Sequence, residues 1–337
     1  MNKGFFVTKK LGEKLINVIS EAVRSKKLNL GLFFDKYVLW WREDIWKCSP
    51  EIQISLLRKV YSNSQEIEKF LDQNLSGKKF REKITKNVRL SVPFEMIPFS
   101  EYKFYKKRMT MLFSTLEQMG FYIKYLPNNQ SGLSLNWRLI INLGTASVYE
   151  TSLLFHRNYS VPYIPGSAVK GVTRHWAILK FAEKLQGARS FSFEDAIKEI
   201  DKALENGKDL GMEVNGVKFS ELIEIFGTQN KKGEVIFFDA LPIIEQEKDF
   251  IVLDIMNVHY KPYYEKGETP GDWHSPTPIF FLAVEKGTKF RFTLASKNKN
   301  EDSKNKDLVK KAKELLKEAL ENIGIGAKTS AGYGYFE

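Results

Sequence analysis

Gly324-Ile-Gly-Ala-Lys-Thr-Ser-Ala-Gly-Tyr-Gly-Tyr-Phe-Glu337 is the stretch whose reading decides the fold. Its glycines, Gly324, Gly326, Gly332 and Gly334, let the backbone take positive φ and approach a neighbouring segment closely. Lys328, Thr329 and Ser330 stand between them. Successive backbone N–H groups beside a lysine and two hydroxyls can build a concave anion site. The stretch is not a nucleotide P-loop, since G-x-x-x-x-G-K-[ST] cannot be fitted to it and no strand precedes it. Two readings stay open at this point. One is an anion cradle; the other is a glycine cap and a tight turn into a last strand over 328–336.

Working outward, the preceding residues read as a helix from Asp307 to about Asn322. Leu308, Ala312, Leu315, Ala319 and Ile323 share one of its faces, and Gly324 falls at the C′ position. Further upstream, Ile279–Val284 and Lys289–Leu294 read as a hairpin around residues 285–288. Gly233–Pro242 and Leu135–Leu143 read as strands from their apolar and aromatic content. Between them, Tyr163-Ile-Pro-Gly-Ser-Ala-Val-Lys-Gly171 leads into a helix with Ser167 as its expected N-cap. Val169, Val172, Trp176 and Leu179 mark the expected buried face, and Lys170 and Arg174, four apart, share the other. Short helices are expected near 193–206 and 218–226. Residues 245–276 read as an insertion with little regular pattern.

The order strand, helix, strand, strand, helix, strand is the split βαβ arrangement of an α+β, ferredoxin-like domain. It would occupy residues 131–337 and bring Pro165–Gly171 beside the Gly-rich loop 324–334. RNA-recognition sheets share this order and bind single strands across an open face. Residues 1–130 form a separate, basic and mainly helical region. Helices are expected over 9–90 and near 101–119, and an aromatic-dense segment, Leu32–Trp41, lies between the first of them.

Charge divides the chain in the same way. Residues 1–110 carry 23 Lys/Arg and 12 Asp/Glu, a net of +11, whereas 111–337 carry 29 of each. Basic residues interleaved with aromatics suit a phosphate backbone and stacked bases, and equally a solvated surface or an acidic protein partner. No apolar run is long enough to span a bilayer, and the N-terminus lacks a signal-peptide core. The lone cysteine, Cys48, rules out an internal disulfide, so a cytoplasmic protein is expected, with no membrane contact.

Three motifs, in order, carry a resemblance. Pro165-Gly-Ser-Ala-Val-Lys-Gly171 before a helix and Gly324–Tyr335 at the end resemble the RAMP proteins of CRISPR systems. Leu253-Asp-Ile-Met-Asn-Val-His-Tyr-Lys-Pro-Tyr-Tyr264, with Thr277–Val284 after it, is similar to the middle region of the sixth-subunit family of the Cmr complex, the type III-B RNA-guided effector. The resemblance covers about 136–337. Val258 and Lys261 stand where that family usually has prolines, and Ala168 stands where a second serine is usual.

The resemblance implies a non-catalytic, RNA-binding scaffold subunit of an antiviral effector. It would cap a row of RAMP subunits near the 3′ region of the guide RNA. Its partners would be guide and target RNA, the other Cmr RAMP subunits and the small helical subunit of the complex. No cofactor is implied. The insertion 245–276 would serve as a thumb wedged between bases. The RNA-binding residues so designated are His156, Arg157, Ser167, Lys170, Arg174, His259, Tyr260, Gly324, Gly326, Lys328, Thr329, Ser330 and Gly332.

The residues also bear on catalysis. A related backbone subunit cuts target RNA with an aspartate between first strand and first helix, but residues 145–166 hold Glu150 as their single carboxylate. His156 and His259 offer the alternative of a metal-independent endoribonuclease processing guide precursors. A protein–protein scaffold with no RNA contact is the other alternative. No Cys or His pair has metal-ligand spacing, and Asp239 and Asp254 read as a strand end and a loop cap rather than Mg²⁺ ligands.

Overall fold

The computed structural model describes residues 99–127, 132–145, 152–156, 159, 161–188, 192–244, 251–273, 277–297 and 303–337. The helices expected over 9–90 lie outside the described residues. Backbone contacts divide the chain into two units: Met1–Tyr102 with Leu143–Val161 and Gln246–Ala283, and Lys103–Asn142 with Pro162–Glu245 and Val284–Glu337.

In chain order the elements are α1 (Phe99–Gln118), β1 (Phe121–Leu126), β2 (Leu133–Ser134), α2 (Gly166–Ala188) and α3 (Phe193–Asn206). Next come β3 (Glu213–Val214), β4 (Val217–Lys218), α4 (Phe219–Phe226), β5 (Val235–Phe237) and β6 (Leu241–Ile243). Then follow β7 (Ile251–Val258), α5 (Lys261–Lys266), β8 (Thr277–Val284), β9 (Lys289–Lys297) and α6 (Ser303–Asn322). Among the described residues no helix is long and apolar enough to cross a membrane.

The larger unit is organised by β9. Its central residues pair on both edges: Ala295 with Ile123 of β1 and Ile236 of β5, and Phe290 with Leu133 of β2 and Pro242 of β6. All four partners run antiparallel to it. Alternation sends Phe290 and Phe292 to one face, where both meet Phe336 edge-on at 6.0 and 5.2 Å. Each such aromatic pair adds about 0.5–1.5 kcal/mol beyond the burial itself. The i, i+3, i+4 stripe of α6, Leu308, Ala312, Leu315, Leu316 and Ala319, is buried in this unit.

The opposite face is not open. Arg291 stands over Tyr125 at 5.7 Å. From α1, Phe113 packs edge-on against both Tyr125 and Phe238, each at 5.8 Å. The Tyr105 hydroxyl donates to the Pro242 carbonyl at 3.1 Å. Thr293 and Ala295, on the same side of β9 as Arg291, are buried. The helix expected near 101–119 thus covers the surface across which an RNA-recognition sheet would lay its strand.

Besides the strand expected over 135–143, where the described backbone holds isolated bridges at Leu135 and Leu139 instead, four sequence expectations need correction. First, β8 and β9 are not a hairpin: the chain turns at 285–288, with Thr288 N–H donating to Glu285 at 3.2 Å, but β8 pairs with β7 and β9 lies in another sheet. Second, residues 245–276 hold regular structure, namely β7 and α5, the latter ended by Gly267 in the left-handed region. Third, 328–336 is no strand; Lys328, Gly332 and Gly334 all take positive φ, and a 3₁₀ turn spans Thr329–Ala331. A single bridge, Leu135 to Phe336, is what remains of the expected pairing. Fourth, the buried stripe of α2 runs through Val169, Thr173, Ala177, Ile178 and Phe181, while Val172, Trp176 and Leu179 are half-buried. Small Thr173 and Ala177 let the helix pack closely, and Trp176 at the margin donates its indole N–H to Glu318 of α6 at 2.8 Å.

Candidate nucleic-acid interface

Helix α2 starts one residue before its expected cap. Ala168 and Val169 N–H groups donate to the Pro165 carbonyl at 2.9 and 3.0 Å, so Pro165 opens the helix and Ser167 is an exposed residue of its first turn. The Ile164–Ala240 bridge draws the strand end after β5 against this turn. There the Gly166 N–H donates to the Asp239 carboxylate at 2.7 Å, and a Cβ on Gly166 would strike the Phe237 carbonyl. A carboxylate of the chain itself therefore faces the positive end of the helix dipole.

One helical turn on, Arg174 is tied to Asp201 of α3 at 2.6 Å. Both side chains are part-buried, and the Asp201 Oδ1 at the contact is shielded from water. Lys170 is half-buried, and burial, with the Arg174 charge adding to it, lowers its ammonium pKa below the ordinary lysine value.

The Gly-rich stretch begins where α6 ends. Gly324, at φ 69°, returns its N–H to Ala319 at 3.0 Å and is buried. Gly326 lies against the Ile140 carbonyl and Gly334 against the Ile325 carbonyl, so neither admits a Cβ. Ala327 N–H donates to Ile140 and Gly334 N–H to Arg138, both at 2.9 Å. These contacts leave the middle of the stretch projecting. Lys328 takes φ 60° and accepts from the Ala331 N–H at 2.9 Å. Among the described residues, the N–H groups of Lys328, Thr329 and Ser330 donate to no backbone carbonyl. Three such amides in a row stand beside two hydroxyls and an ammonium, the groups from which an anion site can be built.

Side-chain pairs join the two long helices. Trp176 and Lys180 of α2 reach Glu318 of α6. Phe181 packs on Phe219 of α4, whose Glu221 binds Lys311, nearly two turns earlier on α6. These pairs fix α2 and α4 against α6.

The remaining designated residues belong to the smaller unit. His156 sits in a tight turn, donating its N–H to Val161 at 2.8 Å, with its ring stacked on Tyr159 at 4.5 Å. Arg157 lies outside the described residues. His259 is exposed between β7 and α5, 6.3 Å ring to ring from Tyr260. The Tyr260 hydroxyl reaches Asp272 at 3.5 Å. Among the described residues no three His, Cys, Asp or Glu side chains gather as a metal ion would need. Sequence reasoning did not foresee Asp201 as the partner of Arg174, nor the exposure of Trp137; neither carries a local signal, because both depend on where the backbone bends.

Known proteins similar to this chain define its family. The family model of the RAMP superfamily matches residues 138–337. The chain is 36% identical over 360 residues to the CRISPR system Cmr subunit Cmr6 of Pyrococcus furiosus, covering 96% of this chain and 98% of that one. It is 24% identical over 203 residues to the corresponding subunit of Saccharolobus solfataricus, 59% of this chain and 54% of that one. Among solved structures, it is similar to the crystal structure of Cmr6 from Pyrococcus furiosus (39% identity, TM-score 0.43, 64% and 97% covered). It also shares the fold of a chain in the cryo-EM structure of the type III-B Cmr-beta bound to cognate target RNA (20% identity, TM-score 0.51, 96% of each chain). The chain belongs to the RAMP superfamily and, within it, to the family of Cmr6 subunits. That relation runs well beyond 136–337 and takes in most of the basic N-terminal third, which offered no motif to match.

Proposed function

We propose that this chain is a non-catalytic, RNA-binding scaffold subunit of a type III-B effector, built on a ferredoxin-like RAMP core with residues 245–276 as its thumb. It caps the row of RAMP subunits near the 3′ region of the guide, contacting guide and target RNA, neighbouring RAMP subunits and the small helical subunit in the cytoplasm. The observation that carries this reading is the run of N–H groups at Lys328, Thr329 and Ser330, which among the described residues donate to no backbone carbonyl. Amides and an ammonium hold phosphates without reading bases, which suits a guide of variable sequence. Lys170 and Arg174 add charge from α2, and Gly324, Gly326 and Gly332 shape the turn. Family membership supports the assignment to this effector. The absence of an aspartate from 145–166 supports a non-catalytic role.

The test is a titration of the full chain into fluorescein-labelled single-stranded RNA across a range of salt. Lys328→Gly, which suits the positive φ, should weaken binding and reduce the salt slope by about 0.7 for the lost phosphate contact. Affinity and slope equal to the unsubstituted chain would overturn the role given to this turn. The same mixtures with Mg²⁺, run on a denaturing gel, should hold intact RNA; site-specific cuts lost in His156→Ala would revive the nuclease.

A further inference from the structure

The segment lying beside the glycine-rich stretch carries a second feature. Asn136 N–H donates to Tyr335 at 3.0 Å, and Arg138 accepts from Gly334, so residues 136–138 flank the stretch directly. Leu135 and Leu139 are buried at 1% and 0% exposure. A regular strand would put Trp137 on their face, inside. The backbone bends at 136–137 instead, and the indole stands 43% exposed. The Arg138 guanidinium lies 5.3 Å from its ring centre and the Lys286 ammonium 6.0 Å. Glu285 holds Arg138 from 3.9 Å, while Lys286 has no carboxylate partner among the described residues. Trp137 therefore leaves 43% of its surface to water, with two cations over its ring.

We propose that Trp137, with Arg138 and Lys286, is a stacking platform for a base of single-stranded RNA whose phosphates continue onto the Lys328 turn. The inference rests on the RNA-binding reading above and adds to it a second, aromatic subsite. A partly exposed flat ring with two cations beside it fits a nucleotide, the base on the uncovered part of the ring and its phosphates on the charges. A protein partner would call for a cluster of apolar side chains around the tryptophan. Of the exposed large apolar side chains among the described residues, Met111, Leu112, Met119 and Phe193 lie on or beside α1 and α3, and Ile255, Tyr263, Tyr264 and Trp273 lie in β7–β8. In the larger unit, none of them belongs to the segment that carries Trp137.

The experiment titrates labelled oligouridylate RNA with the full chain, read by anisotropy over a range of KCl. Trp137→Ala should weaken binding roughly tenfold with the salt slope unchanged, because the ring carries no charge. Trp137→Phe should keep most of the affinity, which separates loss of the stack from loss of the fold. Lys286→Ala should instead lower the slope by about 0.7. If Trp137→Ala binds like the unsubstituted chain while Lys328→Gly weakens, the platform is overturned and the turn stands. Loss of neighbouring subunits at unchanged RNA affinity would likewise overturn it, marking a protein dock. No binding by the unsubstituted chain would overturn both readings.

Discussion

At the two ends of the glycine-rich stretch an added Cβ would run into backbone: Gly326 against Ile140, Gly334 against Ile325. In its middle, around Lys328–Gly332, a Cβ on Gly332 would meet nothing within 4 Å. The ends are glycine because two chain segments must touch; the middle is held open by them. The same composition thus serves packing and exposure within fourteen residues, and the first creates the second. Of the opening reading, the glycine cap and the tight turn are present, with a 3₁₀ turn and a single bridge where a last strand was expected.

The comparison can be broken by substitution. The largest effect is expected for Gly334→Ala, where both the collision with Ile325 and φ 77° oppose a side chain. A loss of about 4 kcal/mol or more in urea unfolding, or failure to accumulate folded protein, is the expected outcome. Gly332→Ala, with φ 89° but open space, should lose about 1–2 kcal/mol. Equal damage at the two positions would show that the middle is packed after all. Smallest, and opposite in sign, Lys328→Gly should raise stability by up to ~1 kcal/mol while weakening RNA binding, since it relieves a lysine at φ 60°. A fall in stability would mean that the Lys328 side chain is part of the fold.

The helices were legible because their signals are local. The 3.6-residue stripe of α6, the glycine at its C′ position and Ser192 capping α3 through the Asp195 N–H each depend on residues a few positions apart. Residues 328–336 misled because alternating Tyr and Gly imitate a strand's period of two, while three positive φ values fold them into turns. The β8–β9 reading failed on range: a short turn argued for local pairing, but β8 finds β7 across α5. In the candidate site, Lys328, Thr329 and Ser330 were visible as residue types. The Asp239 carboxylate at the start of α2 and the bend exposing Trp137 were not, because each is created by a bridge or bend between distant segments.

The hub position of β9 has a consequence for synthesis. Every pairing in its sheet waits for residues 289–297, so β1 must leave the ribosome roughly 170 residues before its partner, on the order of ten seconds at ordinary elongation rates. Until then β1, β2, β5 and β6 have no ladder to join, and their edges are open to other chains. A stop or proline late in the gene, within β9, would therefore strand strands made long before it. Damage to one nine-residue segment would be read out as aggregation of the whole nascent chain.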